Sequence, residues 1–157
     1  MNKSIKKGVG FGITSGVITT LGLMVGLYSG THSMIAIIGG IITIAIADAF
    51  SDSLGIHISE ETVERSSRKI WQSTFATFIS KFFTAIIFLI PILLLSLKTA
   101  IITNIGIGMI LLGIFSYELA KSKKEKPFGI IAEHIIISIG VIIITYFVGK
   151  LIGVWFG

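Results

Sequence analysis

The chain is 157 residues long, 53% hydrophobic and 13% charged, with a formal net charge of +5 at pH 7. A soluble domain of this length spreads charge along every element, whereas here the charges fall in a few short blocks, which describes an integral membrane protein. The lack of cysteine excludes disulfides, iron–sulfur clusters and thiolate metal sites, and the basic excess reports topology and anionic-lipid contact rather than nucleic-acid binding.

Five apolar segments can be drawn, at about 8–29, 34–58, 78–97, 99–120 and 129–154. Each is long enough for the roughly 20 residues that carry a helix across about 30 Å of hydrocarbon. The expected fold class is therefore all-α, a single transmembrane domain of five helices. The first segment is too long for a cleavable signal peptide and runs on through Gly22, Gly26 and Gly30, so it is expected to stay as helix 1. Its glycines at 12, 16, 22, 26 and 30 allow another helix backbone to approach closely. Thr14, Ser15, Thr19 and Thr20 either line a polar path or bond back to carbonyls of their own helix.

Helix 2 carries the most informative pair, Asp48 and Asp52, inside the apolar run from Met34 to Ile58. Residues four apart share a helix face, so the two carboxylates lie roughly 5–6 Å apart. Each costs on the order of 2.5–3.5 kcal/mol at mid-bilayer, and like charges together cost more. All lysines and arginines fall at or near the ends of the apolar runs, with Lys81 read as part of the basic block between helices 2 and 3. The pair is thus expected to have no basic partner at its own depth, leaving a proton, a metal cation or water to offset the charge. The alternative is a pair of protonated acids acting as hydrogen-bonding glue between helices.

Residues 59–77 form an amphipathic, cytoplasmic helical segment that merges into helix 3, which is expected to protrude from the membrane. Glu60, Glu61 and Glu64 stand where carboxylates at i, i+3 and i+4 converge on one hard cation. The competing arrangement pairs Glu61 with Arg65 and Glu64 with Arg68 along the helix. Pro91 should kink helix 3 and free a backbone carbonyl. A very short connection at Leu97 to Thr99 makes helices 3 and 4 antiparallel neighbours. Glu118 to Pro127 is a solvated loop, and His134 reads as a capping or interfacial residue at the start of helix 5. Basic residues before helix 1, between helices 2 and 3 and between helices 4 and 5 place the N-terminus in the cytoplasm and the C-terminus outside.

Enzyme templates fail. Intramembrane aspartyl proteases need aspartates on two helices, and both are on one here. Gly12-Ile13-Thr14-Ser15-Gly16 has the wrong spacing for a rhomboid serine motif, and Asp48-x-x-x-Asp52 lacks the earlier aspartates and Ala-Arg of the phosphatidyltransferase signature. No enzymatic activity is expected.

Gly16-Val17-Ile18-Thr19-Thr20-Leu21-Gly22-Leu23-Met24-Val25-Gly26 resembles the first-helix motif of the vacuolar iron transporter family, and Ala47-Asp48-Ala49-Phe50-Ser51-Asp52 is similar to its second-helix Ser-Met-x-x-Gly-Glu stretch. Pro91 stands where that family has a helix 3 proline, and Thr145 to Gly153 looks like its last helix. The resemblance implies a homodimer with a pore between subunits, exporting ferrous iron or manganese from the cytoplasm in exchange for protons. It implies Asp48 and Asp52 as core metal ligands or proton carriers and Glu60, Glu61 and Glu64 as a capture site at the cytoplasmic mouth. Ser15, Thr19, Met24 and Ser51 would line the ion pathway. The chain departs from the family in having Ser15-Gly16 for Asp-Gly, Asp48 for the helix 2 methionine and Asp52 for the glutamate. Exchanging a thioether for a carboxylate favours harder cations. The expected setting is a prokaryotic cell membrane, with divalent metal ions, protons and lipid as partners and no permanently bound cofactor. A non-transporting membrane scaffold is the alternative.

Overall fold

The computed structural model describes residues 2–157. Six helices follow in order: α1 Lys3–Thr31, α2 Met34–Glu61, α3 Ser67–Ile87, α4 Leu89–Leu94, α5 Leu97–Lys123 and α6 Pro127–Phe156. No strand occurs among the described residues. α3 and α4 together form one 28-residue membrane-length unit, Ser67–Leu94, so five helical units are long and apolar enough to cross a membrane.

The ends follow from local chemistry. The Asn2 side chain accepts from the Ser4 amide and Ser33 from the Ala36 amide, each satisfying an amide that the first turn leaves free. α1 stops at His32 and α5 at Lys124, both with left-handed backbone (φ 51° and 59°). Pro127 opens α6, where its missing N–H costs nothing. Pro91 has no N–H to give to the Ile87 carbonyl one turn back, and α3 breaks from α4 at Phe88.

The expected span 78–97 begins too late, and the amphipathic stretch 59–77 is not one segment. α2 continues to Glu61, a turn follows, and α3 starts at Ser67. Helix propagation accounts for this: once nucleated at Ser67, the polar first turns and the apolar continuation belong to the same helix. The other units exceed the expected bounds by two to five residues at most of their ends, as polar first and last turns carry on the hydrogen-bond ladder beyond the apolar core.

α1 is the central helix and packs on α2, α3, α5 and α6. Its glycines decide how closely. A Cβ at Gly8 would sit 2.3 Å from the Ser73 carbonyl oxygen, and one at Gly12 2.6 Å from that of Thr77. At the opposite end Gly26 and Gly30 face Gly149 and Gly153 of α6 in the same manner. The apolar core joins Val17, Leu21 and Met24 of α1 to Ile37 and Ile41 of α2, to Phe88 and Ile92 at the break and to Leu112 of α5.

Candidate functional site

The site is built where three helices pass each other at mid-length. Ser15 on α1, Asp48 on α2 and Lys81 on α3 lie about 18–24 Å from the ends of their helical units at 1.5 Å per residue, and Asp52 lies one turn beyond Asp48, about 13 Å from the end of α2. Lys81 corrects the expectation that the aspartates lack a basic partner. It belongs not to the basic block but to the middle of the Ser67–Leu94 unit, 1% exposed. A span starting at residue 78 puts Lys81 near an end, where a lysine stem snorkels to the interface. In the folded chain its backbone packs beside Gly12 of α1 and its ammonium meets both carboxylates.

The geometry is specific. Lys81 Nζ lies 2.5 Å from Asp48 Oδ2, though off the hydrogen-bonding direction. It donates to Asp52 Oδ2 and, at 2.9 Å, to Ser15 Oγ. Ser15 Oγ in turn donates to Asp52 Oδ2 at 2.6 Å. Asp52 is therefore held by two donors and Asp48 by charge alone. With both carboxylates ionised, one ammonium would balance only one of them, leaving one unit of negative charge. A further proton or cation is the chemistry that offsets it. Lys81 is sealed, while the Asp48 and Asp52 side chains are 27% and 21% exposed.

That exposure opens onto one face of α2. Gly39, Thr43, Ala47, Ser51, Gly55 and Ser59 recur every fourth residue there and are all exposed. A Cβ at Gly39 or Gly55 would meet nothing within 4 Å. Ser51 thus lies on the open face beside Asp52. Thr19 stands one turn beyond Ser15 on α1, but its hydroxyl bonds back to the Ser15 carbonyl at 2.9 Å. Met24 is fully buried in the core and accepts from Asn104 Nδ2 at 3.2 Å. The structure therefore brings Ser15 to the aspartates, leaves Ser51 at their outer edge, and separates Met24 from them.

Glu60, Glu61 and Glu64 do not converge. Glu60 is buried and paired with Lys7 of α1, Glu61 faces His57 Nε2 at 3.4 Å, and Glu64 bonds Lys69 Nζ at 3.0 Å. Neither expected arginine pair forms, because α2 ends at Glu61 and the turn carries Glu64 and Arg65 off its helical register. Lys69 lowers the Glu64 pKa, with the Ser66 amide assisting. His57 Nδ1 also meets Thr74 Oγ1 at 2.9 Å. Thr74 already donates to the Ile70 carbonyl, so its oxygen accepts from the ring. His134 is not a cap: its Nδ1 pairs with the buried Ser116 Oγ of α5 at 2.7 Å. Among the described residues no group of three or more histidines and acids gathers in metal-binding proximity.

Lys81 and Asn104 are the residues that sequence reasoning passed over. The signal for Lys81 was present: Ser73, Thr77, Ser80, Lys81 and Thr84 recur at helical spacing, a polar stripe on an otherwise apolar helix. Asn104 is a lone amide in an apolar run, and in a membrane helix such a side chain hydrogen-bonds across to a neighbouring helix.

Fold and site together define an all-helical protein with five helices long and apolar enough to cross a membrane and a Lys–Asp–Asp centre where three of them meet. Compared with known proteins, the chain matches no protein-family model and no curated protein.

Proposed function

We propose that the protein is a cation transporter that moves divalent metal, ferrous iron or manganese, out of the cytoplasm by exchange with protons. Asp48 and Asp52 receive the ion, Ser15 and Ser51 flank it, and Lys81 fills the carboxylate pair when the ion is away. The observation that carries this reading is that two part-exposed carboxylates inside a membrane-length helix share a single ammonium. An intramembrane carboxylate facing hydrocarbon is costly, so the open side of Asp48 and Asp52 faces water or protein.

A second copy of the chain supplies that surface most simply. The small-residue stripe of α2 lets two α2 helices approach closely, which would put four aspartates around one axis and create a pore between subunits. The distribution of lysines and arginines supports a cytoplasmic N-terminus and an outside C-terminus. The resemblance of the helix 1 and helix 2 motifs to vacuolar iron transporters supports the choice of ion. Glu60 and Glu61 in the last turn of α2 and Glu64 just past it would lie at the cytoplasmic mouth, engaged with Lys7, His57 and Lys69 until metal arrives.

The test is metal flux into proteoliposomes with an internal fluorescent reporter, comparing wild type with the Asp48→Asn/Asp52→Asn variant. Wild-type manganese or iron flux that the variant abolishes, with assembly intact, is the expected result. Equal flux in both would remove the aspartates from the path.

One observation favours a scaffold instead. Lys81 is sealed and multiply bonded, as a purely structural ion pair would be. That reading expects no flux in wild type and no stabilisation by metal.

A further inference from the structure

A second polar centre lies beyond the lysine–aspartate centre, at the break between α3 and α4. Asn104 of α5 is fully buried and donates both amide hydrogens, to the Phe88 carbonyl at 2.9 Å and to Met24 Sδ at 3.2 Å. Both partners are pure acceptors, so the amide orientation is fixed and Oδ1 is left with no hydrogen-bond partner. Thr20 of α1 is also fully buried, and its Oγ1 has none either.

The register of α1 on α3 places Thr20 at the level of the break. The helices run parallel: Gly8 lies against Ser73 and Ala76, Gly12 against Thr77 and Lys81, Gly16 against Lys81 and Thr84. Each four residues of α1 match four of α3, so one further turn sets Thr20 against the turn from Ala85 to Phe88, the last of which gives its carbonyl to Asn104. Met24, which Asn104 also holds, is one turn beyond Thr20 on the same helix. At this level α3 ends, with the Ile87 carbonyl deprived by Pro91 of its usual intrahelical donor.

The cluster is thus a set of buried oxygens at the C-terminal end of α3, of which Thr20 Oγ1 and Asn104 Oδ1 have no hydrogen-bond partner. A helix C-terminus carries about half a unit of negative charge. Broken membrane helices use such ends, with neutral side-chain oxygens, to hold small monovalent cations. A divalent ion is poorly served where no carboxylate is present, since neutral oxygens at a half-helix end leave most of its charge uncompensated.

We propose that the α3–α4 break binds a dehydrated monovalent cation of sodium type through Thr20 Oγ1, Asn104 Oδ1 and the free carbonyl end of α3. Met24 orients the amide rather than ligating the ion. This site is independent of Asp48 and Asp52, and occupancy would fix the angle between α3 and α4.

Thermal unfolding of the purified full chain in detergent tests it, in NaCl against choline chloride at equal ionic strength, with KCl as a third arm. The expected result is a saturable upward shift in Tm with sodium, smaller with potassium and absent with choline. The shift should be lost in Thr20→Val and kept in Thr20→Ser. It should persist in Asp48→Asn/Asp52→Asn, which separates this site from the proposed transport centre. Wild-type protein that melts identically in sodium and choline would overturn the proposal and assign the two oxygens to ordered water. An equal sodium shift in Thr20→Val would overturn the ligand set.

Discussion

At the scale of single residues, the decisive feature is that Lys81 is buried with its charge. Desolvating an ammonium and two carboxylates is expensive, and their mutual attraction repays it only while every member is present. Lys81→Met should therefore cost roughly 3–5 kcal/mol, by leaving two carboxylates facing each other without a counter-charge. Thermal unfolding in detergent checks it, and adding Asp48→Asn and Asp52→Asn to the same chain should recover most of the loss. Glu64 makes a milder case outside the membrane-spanning helices. Its pKa is lowered chiefly by Lys69, so the interaction is present above the unfolded carboxylate pKa and disappears as pH falls through the lower folded value. Titration of the Glu64 carboxyl by NMR should show its midpoint move up in Lys69→Gln. An unchanged midpoint would assign the shift to the Ser66 amide instead.

At the scale of elements, the glycines of α1 are a spacing device and those of α5 are not all so. Gly12→Ala would drive a methyl to 2.6 Å from the Thr77 carbonyl oxygen and 3.1 Å from the Lys81 amide. Backbone cannot yield as a side chain does, so α1 and α3 must separate, at a cost of about 1–3 kcal/mol. Such separation would also pull Ser15 from Lys81, so loss of stability and loss of flux should appear together. Gly106→Ala is the control: nothing lies within 4 Å of its Cβ, and removing a mid-helix glycine should be neutral or stabilise by about 0.4–1 kcal/mol. Paired melting curves decide it, and equal destabilisation by both would contradict the spacing account.

At the scale of the whole molecule, the uneven burial of the helices matters most. α1 is enclosed, whereas only Ser138 and Gly149 of α6 are buried and α2 presents a continuous open face. Large apolar side chains cover much of α6, including Ile144, Phe147 and Trp155, as suits lipid contact. The α2 face is different: small residues, with two acids at its edge. In a chain without native cysteine, Ala47→Cys should cross-link rapidly to a second copy in membranes, while Ile152→Cys on α6 should not. Oxidative cross-linking on a non-reducing gel reads this directly. No dimer band from Ala47→Cys would place water or another partner over the aspartates.

The sequence by itself determined the class of fold and the depth of the acids. Runs of apolar residues longer than about 20 have few solutions other than membrane helices, and the same count puts Asp48 and Asp52 inside theirs rather than at its ends. It also marked Pro91 as a break, since a missing N–H is a property of the residue. What it did not determine was charge compensation, because that depends on which helix faces which. Lys81 is 29 residues from Asp52 along the chain and meets it only because glycines on α1 let α3 settle close enough to reach both α1 and α2. The same holds for Glu60 with Lys7 and for Asn104 with Met24 and Phe88. Such pairings arise from packing between elements, where a shift of one residue in helix register turns a side chain by about 100°. Only the tertiary structure chose the register.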